Sequence, residues 1–179
     1  MKQTVPALES QEIDRDLIFP AVRGEFYNYH EKFTDKKPLY VFLKCKSNKG
    51  RSTEDAEKLG REVNLFFLFG DSIEAQVCDV KSACVAGLLG DSVKSASFGE
   101  TWIAPAGITS KVFYEIRSRK DVPTLTEICA SACSKHETSM TLKAGSVVAM
   151  MTDAGKYGMF FVTAITPTSI EVDACHILI

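Results

Sequence analysis

The sequence predicts an α+β protein built mainly on antiparallel sheet, with two or three helices and a C-terminal three-stranded meander. Strand-like segments outnumber helical ones, and the helices interrupt the strands instead of alternating with them, which disfavours a doubly wound parallel sheet. The stretch from Gly145 to Ile179 reads as three apolar runs separated by two turn signals. A barrel-like closure of the sheet, covered by a helix near Leu125, is compatible with this pattern.

Residues 1–12 are polar with one proline and are expected to be disordered, leaving residues 13–179 as a single globular domain. From Asp16 to Tyr29, apolar residues mixed with Pro20 and Gly24 suggest short extended pieces joined by a turn. Leu39, Val41, Leu43 and Cys45 alternate with Tyr40, Phe42, Lys44 and Lys46, the pattern of a strand. Ser52 and Asp55 have the spacing of a helix cap, and Ala56, Leu59 and Val63 share one face, so a helix is predicted from Thr53 to Asn64. Leu65 to Phe69 either prolongs that helix or forms a strand.

Asp71 and Glu74 offer a second capping pair, followed by a helical stripe of Ile73, Val77, Val80, Cys84 and Leu88, although Val77 to Val80 also reads as a strand. After a loop over 91–99, Trp102 and Ile103 lead into the turn Pro105-Ala106-Gly107. Alternation from Ile108 to Arg117 then predicts a strand. Thr124 and Glu127 have capping spacing, and Leu125, Ile128, Cys129, Ala132 and His136 fall on one helical face, predicting a helix from Leu125 to Glu137. Met140 to Lys143 reads as a short strand. In the meander, Ser146–Thr152 and Met159–Thr166 are apolar on both faces, whereas Ser169–Ile179 alternates, with Ile170, Val172, Ala174, His176 and Leu178 on its core face. Asp153-Ala154-Gly155-Lys156 and Thr166-Pro167-Thr168-Ser169 supply the two corners.

A hydrophobic fraction of 45%, a charged fraction of 25% and a net charge of −2 describe an ordinary globular surface and give no footprint for nucleic acid or a membrane surface. No apolar run reaches the ~20 residues that span a bilayer. The first residues lack a basic start and apolar stretch, so a cytoplasmic location is expected; a leader removed beforehand would leave no trace. The six cysteines, Cys45, Cys78, Cys84, Cys129, Cys133 and Cys175, sit mostly among apolar neighbours and are expected to be reduced and buried.

Chemistry-bearing patterns are few. Cys129, Cys133 and His136 fall at i, i+4 and i+7 of the predicted helix, where two thiolates and an imidazole would face one metal ion, although structural zinc sites draw ligands from two segments. Lys49 and Arg51 precede Ser52 and Thr53 at a helix N-terminus, a position that favours an anion. Trp102, Tyr114, His136 and Tyr157 are candidates to line a pocket between the 125–137 helix and the meander. Cys45 and Cys175 are the thiols nearest to basic residues in sequence, yet Cys175 and His176, adjacent in a strand, face opposite ways. G-x-S-x-G, H-E-x-x-H, G-x-G-x-x-G and P-loop patterns are absent, and no cofactor is implied. The expected function is a non-enzymatic binding or assembly module that recognises a protein, including a second copy of itself, or a small ligand, through its sheet and loops. Two alternatives are a small enzyme or ligand-binding domain using the pocket, and a domain stabilised by metal at Cys129, Cys133 and His136.

Overall fold

Apolar residues on both sides of the central strands require cover on both sides, and the fold provides it as three layers. The computed structural model describes residues 24–41, 50–55, 58, 63–82 and 98–178. The first sheet joins β1 (Glu25–Thr34), β6 (Thr101–Pro105), β8 (Val147–Thr152), β9 (Tyr157–Thr166) and β10 (Ser169–Leu178) in the order β1-β10-β9-β8-β6. The second joins β2 (Leu39–Val41), β3 (Gly50–Arg51), β4 (Val63–Leu68), β5 (Gln76–Asp79) and β7 (Ser139–Thr141) in the order β3-β2-β4-β5-β7. Every pairing is antiparallel. Two helices, α1 (Ser110–Arg119) and α2 (Val122–Ala132), complete the described elements, with short 3-10 turns at Thr53–Asp55 and Cys133–Lys135.

The α+β, mainly antiparallel architecture is the predicted one, but the strands form two separate sheets and do not close into a barrel. Between the sheets lies one core, where Phe33, Tyr40, Leu65, Phe67, Val77, Met150, Phe160 and Val172 pack together. On the other face of the first sheet, Phe113 and Ile116 of α1 and Leu125 and Cys129 of α2 pack on Val147, Ala149, Met159, Cys175 and Ile177. Double burial explains why β8 and β9 are apolar without alternation. β10 follows one-sided alternation only as far as Asp173, because β1 pairs along its whole length and the helices cover its second half. Gly158 is set by this packing: a Cβ there would lie 3.0 Å from both Met150 Cε and His176 Cβ.

Several predicted elements are corrected. Ile108–Arg117 is helix α1, not a strand. Thr109 caps it by accepting from Val112 N at 3.3 Å, and Phe113 and Ile116, spaced for one helical face, are its buried residues. Phe113 had already broken the period-two pattern. The segment read as a helix from Ile73 contains strand β5 instead; Val77 and Cys78 are both fully buried on opposite faces, which erases the alternation. Val63 and Asn64, assigned to a helix, begin β4, while Ser52 Oγ does bond Asp55 Oδ2 at 3.1 Å. The helix expected over Leu125–Glu137 starts at Val122, capped by Asp121 accepting from Thr124 N at 3.1 Å, and tightens into a 3-10 turn after Ala132. Residues 1–12, Cys45 and Cys84 lie outside the described residues, as do most of the loop over 91–99 and positions 42–46 of the predicted second strand.

The cysteines are not uniformly reduced. Cys129, Cys133 and Cys175 are free and buried, whereas Cys78 is disulfide-bonded, with its partner outside the described residues. Cys78 lies in line with Leu39 and Phe66 across the face of the second sheet turned away from the core. Apolar surroundings alone therefore misread it.

Candidate functional site

The residues singled out in the sequence are dispersed. Cys129 Sγ donates to Gly158 O at 3.1 Å, and Cys133 Sγ lies 3.5 Å from Trp102 O and 3.6 Å from Ala149 O, so both thiols are turned into the first sheet as hydrogen-bond donors. Burial pushes the Cys133 thiol up to about 11 and raises Cys129 well above the usual thiol range, which opposes the thiolate a metal needs. His136, in a left-handed cap conformation, stacks its ring on Trp102 with centroids 4.0 Å apart. No group of three metal-ligating side chains is assembled among the described residues.

Of the four pocket candidates, Trp102 and His136 meet, while Tyr114 lies on the flank of α1 that faces the sheet, against Asp173 and Phe161, and Tyr157 opens β9 opposite Met151. The space between α2 and the meander is filled by Leu125, Cys129 and Cys133. Lys49 lies outside the described residues; Arg51 donates to Gly50 O at 3.0 Å, and Thr53 opens a single 3-10 turn. The Ser52 hydroxyl is taken by Asp55.

Two polar assemblies that the sequence did not indicate stand out. On the helix side of β1 and β10, Asp173 accepts from Tyr114 Oη, lies 2.8 Å from His30 Nδ1 and is 3.7 Å from Arg117 Nη1, with Glu171 3.6 Å from His30 Nε2. Burial alone would raise the Asp173 carboxyl, but these hydrogen bonds and the guanidinium outweigh it and hold the group below the usual range. Tyr114 is pushed up to about 12 by burial and by its bond to that carboxylate. The assembly ties α1 to β1 and β10 through hydrogen bonds and ion pairs, and leaves Arg117 Nε buried without a hydrogen-bond partner among the described residues.

The second assembly is the joint between the sheets. Asp79, 1% exposed at the end of β5, accepts from Thr101 N at 3.2 Å, and its own N–H donates to Thr138 O at 2.7 Å. Burial, opposed by the backbone N–H groups of Thr101, Lys81 and Val80 and reinforced by Glu100, raises its carboxyl to about 6. One residue thus fixes the starts of both β6 and β7.

Beside this joint runs a groove. A cleft of about 480 Å³ is lined by Ile103, Ala104 and Pro105 of β6, by Ser131, Ala132, Ser134 and Lys135 at the foot of α2, and by Glu137, Ser139 and Met140. A second cleft of about 370 Å³ shares Pro105, Ser131 and Ala132 with it and continues along α2 to Glu127 and Ile128. None of the four predicted pocket residues lines either cleft. Both bordering strands are sheet edges. Along β6 the outward donors are spent: Thr101 N goes to Asp79, Ile103 N to Glu137 O at 2.9 Å, and Pro105 has none. The carbonyls of Ile103 and Pro105, residues of the same parity, point outward with them. Along β7, Asp79 N bonds Thr138 O and Leu142 N bonds Ala75 O, so the intervening alternation turns the N–H and C=O of Ser139 and Thr141 away from β5.

No protein-family model and no curated protein matches the chain. Among solved structures, it is similar to a DUF4466 family protein from Parabacteroides merdae, with a TM-score of 0.56 and 11% identity, over 86% of this chain and 54% of that one. This chain therefore spans about half of that protein, and the likeness concerns the fold alone. Among the described residues no helix is long and apolar enough to cross a membrane.

Proposed function

We propose that the chain is a non-enzymatic binding or assembly module that takes its ligand in the groove between β6, the foot of α2 and β7. The observation that carries this reading is the groove's make-up: an apolar wall of Ile103, Ala104, Pro105, Ala132 and Met140, a few polar groups at its rim, and a volume in the range of ligand-binding clefts. Sheet edges at both sides suit recognition through backbone as well as side chains. The polar assembly at His30 joins α1 to β1 and β10, which supports a structural role for it.

A second reading concerns the compartment. The bridged Cys78 favours a setting in which disulfides persist, and with it a location outside the reducing cytoplasm.

Resonance mapping with a fragment and random-peptide collection tests the groove. Binders are expected to perturb the amides of Ala104, Ser131, Ser139 and Met140, and Ala132→Trp, which fills the groove, is expected to abolish the effect. Perturbations elsewhere that persist in the filled variant would overturn the reading.

A further inference from the structure

The groove is unbalanced in both charge and hydrogen-bonding capacity. Its walls carry two carboxylates, Glu127 and Glu137, against a single cation, Lys135. Neither carboxylate has an ion pair among the described residues. The foot of α2 adds the negative end of a helix dipole with no basic residue in the last turn. β6 contributes the outward carbonyl of Pro105 but no remaining donor, Ile103 being fully buried. What this side of the groove lacks is therefore donors and positive charge. On the opposite side, β7 presents at Ser139 both a backbone donor and an acceptor, the pair that an added antiparallel strand engages.

Resting on the groove as the binding site, we propose that its occupant is an extended peptide segment of a partner protein that carries a lysine or arginine. The segment adds to the outer edge of β7 by pairing with Ser139. Its basic side chain lays its aliphatic stem along Pro105 and Ala132 and brings its head group to Glu137, which lines the same cleft as Ser139. A neutral apolar ligand would leave that carboxylate unpaired and the β7 amides unused. An acidic one would face repulsion from three sources at once.

The test uses the full chain and synthetic eight-residue peptides of alternating Thr and Val with one central Lys, with binding followed by fluorescence anisotropy. The Lys peptide is expected to bind, its Lys→Glu counterpart to bind about tenfold more weakly or worse, and Glu137→Gln to lower affinity for the Lys peptide by a similar factor at low salt. N-methylation of alternate peptide amides is expected to abolish binding in one register and spare it in the other. Ser139→Pro removes an outward N–H without breaking a ladder bond and is expected to fold and to lose binding; the N-methylated peptides report the same point without altering the protein. Binding that is independent of peptide charge but lost in Ala132→Trp would overturn this proposal and leave the groove standing. Binding that Ala132→Trp does not affect would overturn both. Failure of every peptide at millimolar concentration would overturn the peptide proposal, and the fragment map would still report on the groove.

Discussion

Replacing Asp79 by Asn should flatten the pH dependence of stability between about pH 4 and 6. The folded carboxyl titrates at about 6, against 3.8 for its ordinary value. Between those values the folded chain keeps a proton that the unfolded chain has lost. Stability from this group is therefore fully present below the ordinary value, declines as pH rises through about 6, and is flat above it. Two pH units correspond to about 3 kcal/mol at 1.36 kcal/mol per unit, and allowing for partial screening at the joint leaves about 2 kcal/mol. For a chain of 179 residues that amounts to a shift in melting temperature of about 4–8 °C. Circular dichroism melts of both proteins at half-unit steps from pH 4.5 to 7.5 measure it. The native protein should lose ground relative to Asp79→Asn as pH rises, since the amide oxygen can still accept from Thr101 N. Parallel curves would refute the assignment of an unfavourable buried carboxylate at the sheet joint.

Three further outcomes are expected. Gly158→Val should cost about 1–3 kcal/mol or more in denaturant titrations, because the new Cβ would sit 3.1 Å from the immobile Cys175 O as well as against Met150 and His176. Asp173 behaves oppositely to Asp79: with its folded value lowered, its contribution is present above about pH 4 and disappears as pH falls through the folded value, so Asp173→Asn should flatten the acid limb of stability below about pH 4. With one bridge among six cysteines, the chain unfolded without reductant should show four reactive thiols, rising to six after reduction; six at the outset would show that Cys78 is unpaired.

The meander was legible because its signals are local and reinforce one another. Gly155, at φ 72°, provides the corner between β8 and β9, and Thr166 Oγ1 braces the next corner by hydrogen bonding Ser169 Oγ at 2.9 Å. Helix α1 was lost because Val112, Tyr114 and Ile116 imitate a strand, while the deciding feature was a hydroxyl two residues after Gly107 that could accept from Val112 N. Strand β5 was lost for the opposite reason. A four-residue strand buried on both faces has no alternation to read, and its disulfide partner is supplied by chain outside it.

The groove was illegible for a more basic reason: much of its chemistry belongs to the backbone. Ile103, Ala104 and Pro105 look like the end of an apolar strand, and Ser131 to Met140 look like a helix terminus and a connection. Nothing in either segment announces that Asp79 and Glu137 consume the outward donors of β6 while Ser139 keeps its own. That asymmetry follows from topology, since β6 and β7 are the edges of different sheets brought together at one corner. An exposed edge with free donors and acceptors invites uncontrolled pairing. Here β6 is blunted by two borrowed acceptors and a proline, and β7 is held to three residues. Those features leave an edge too short for sheet-to-sheet aggregation, yet long enough to register a single added strand beside an apolar wall.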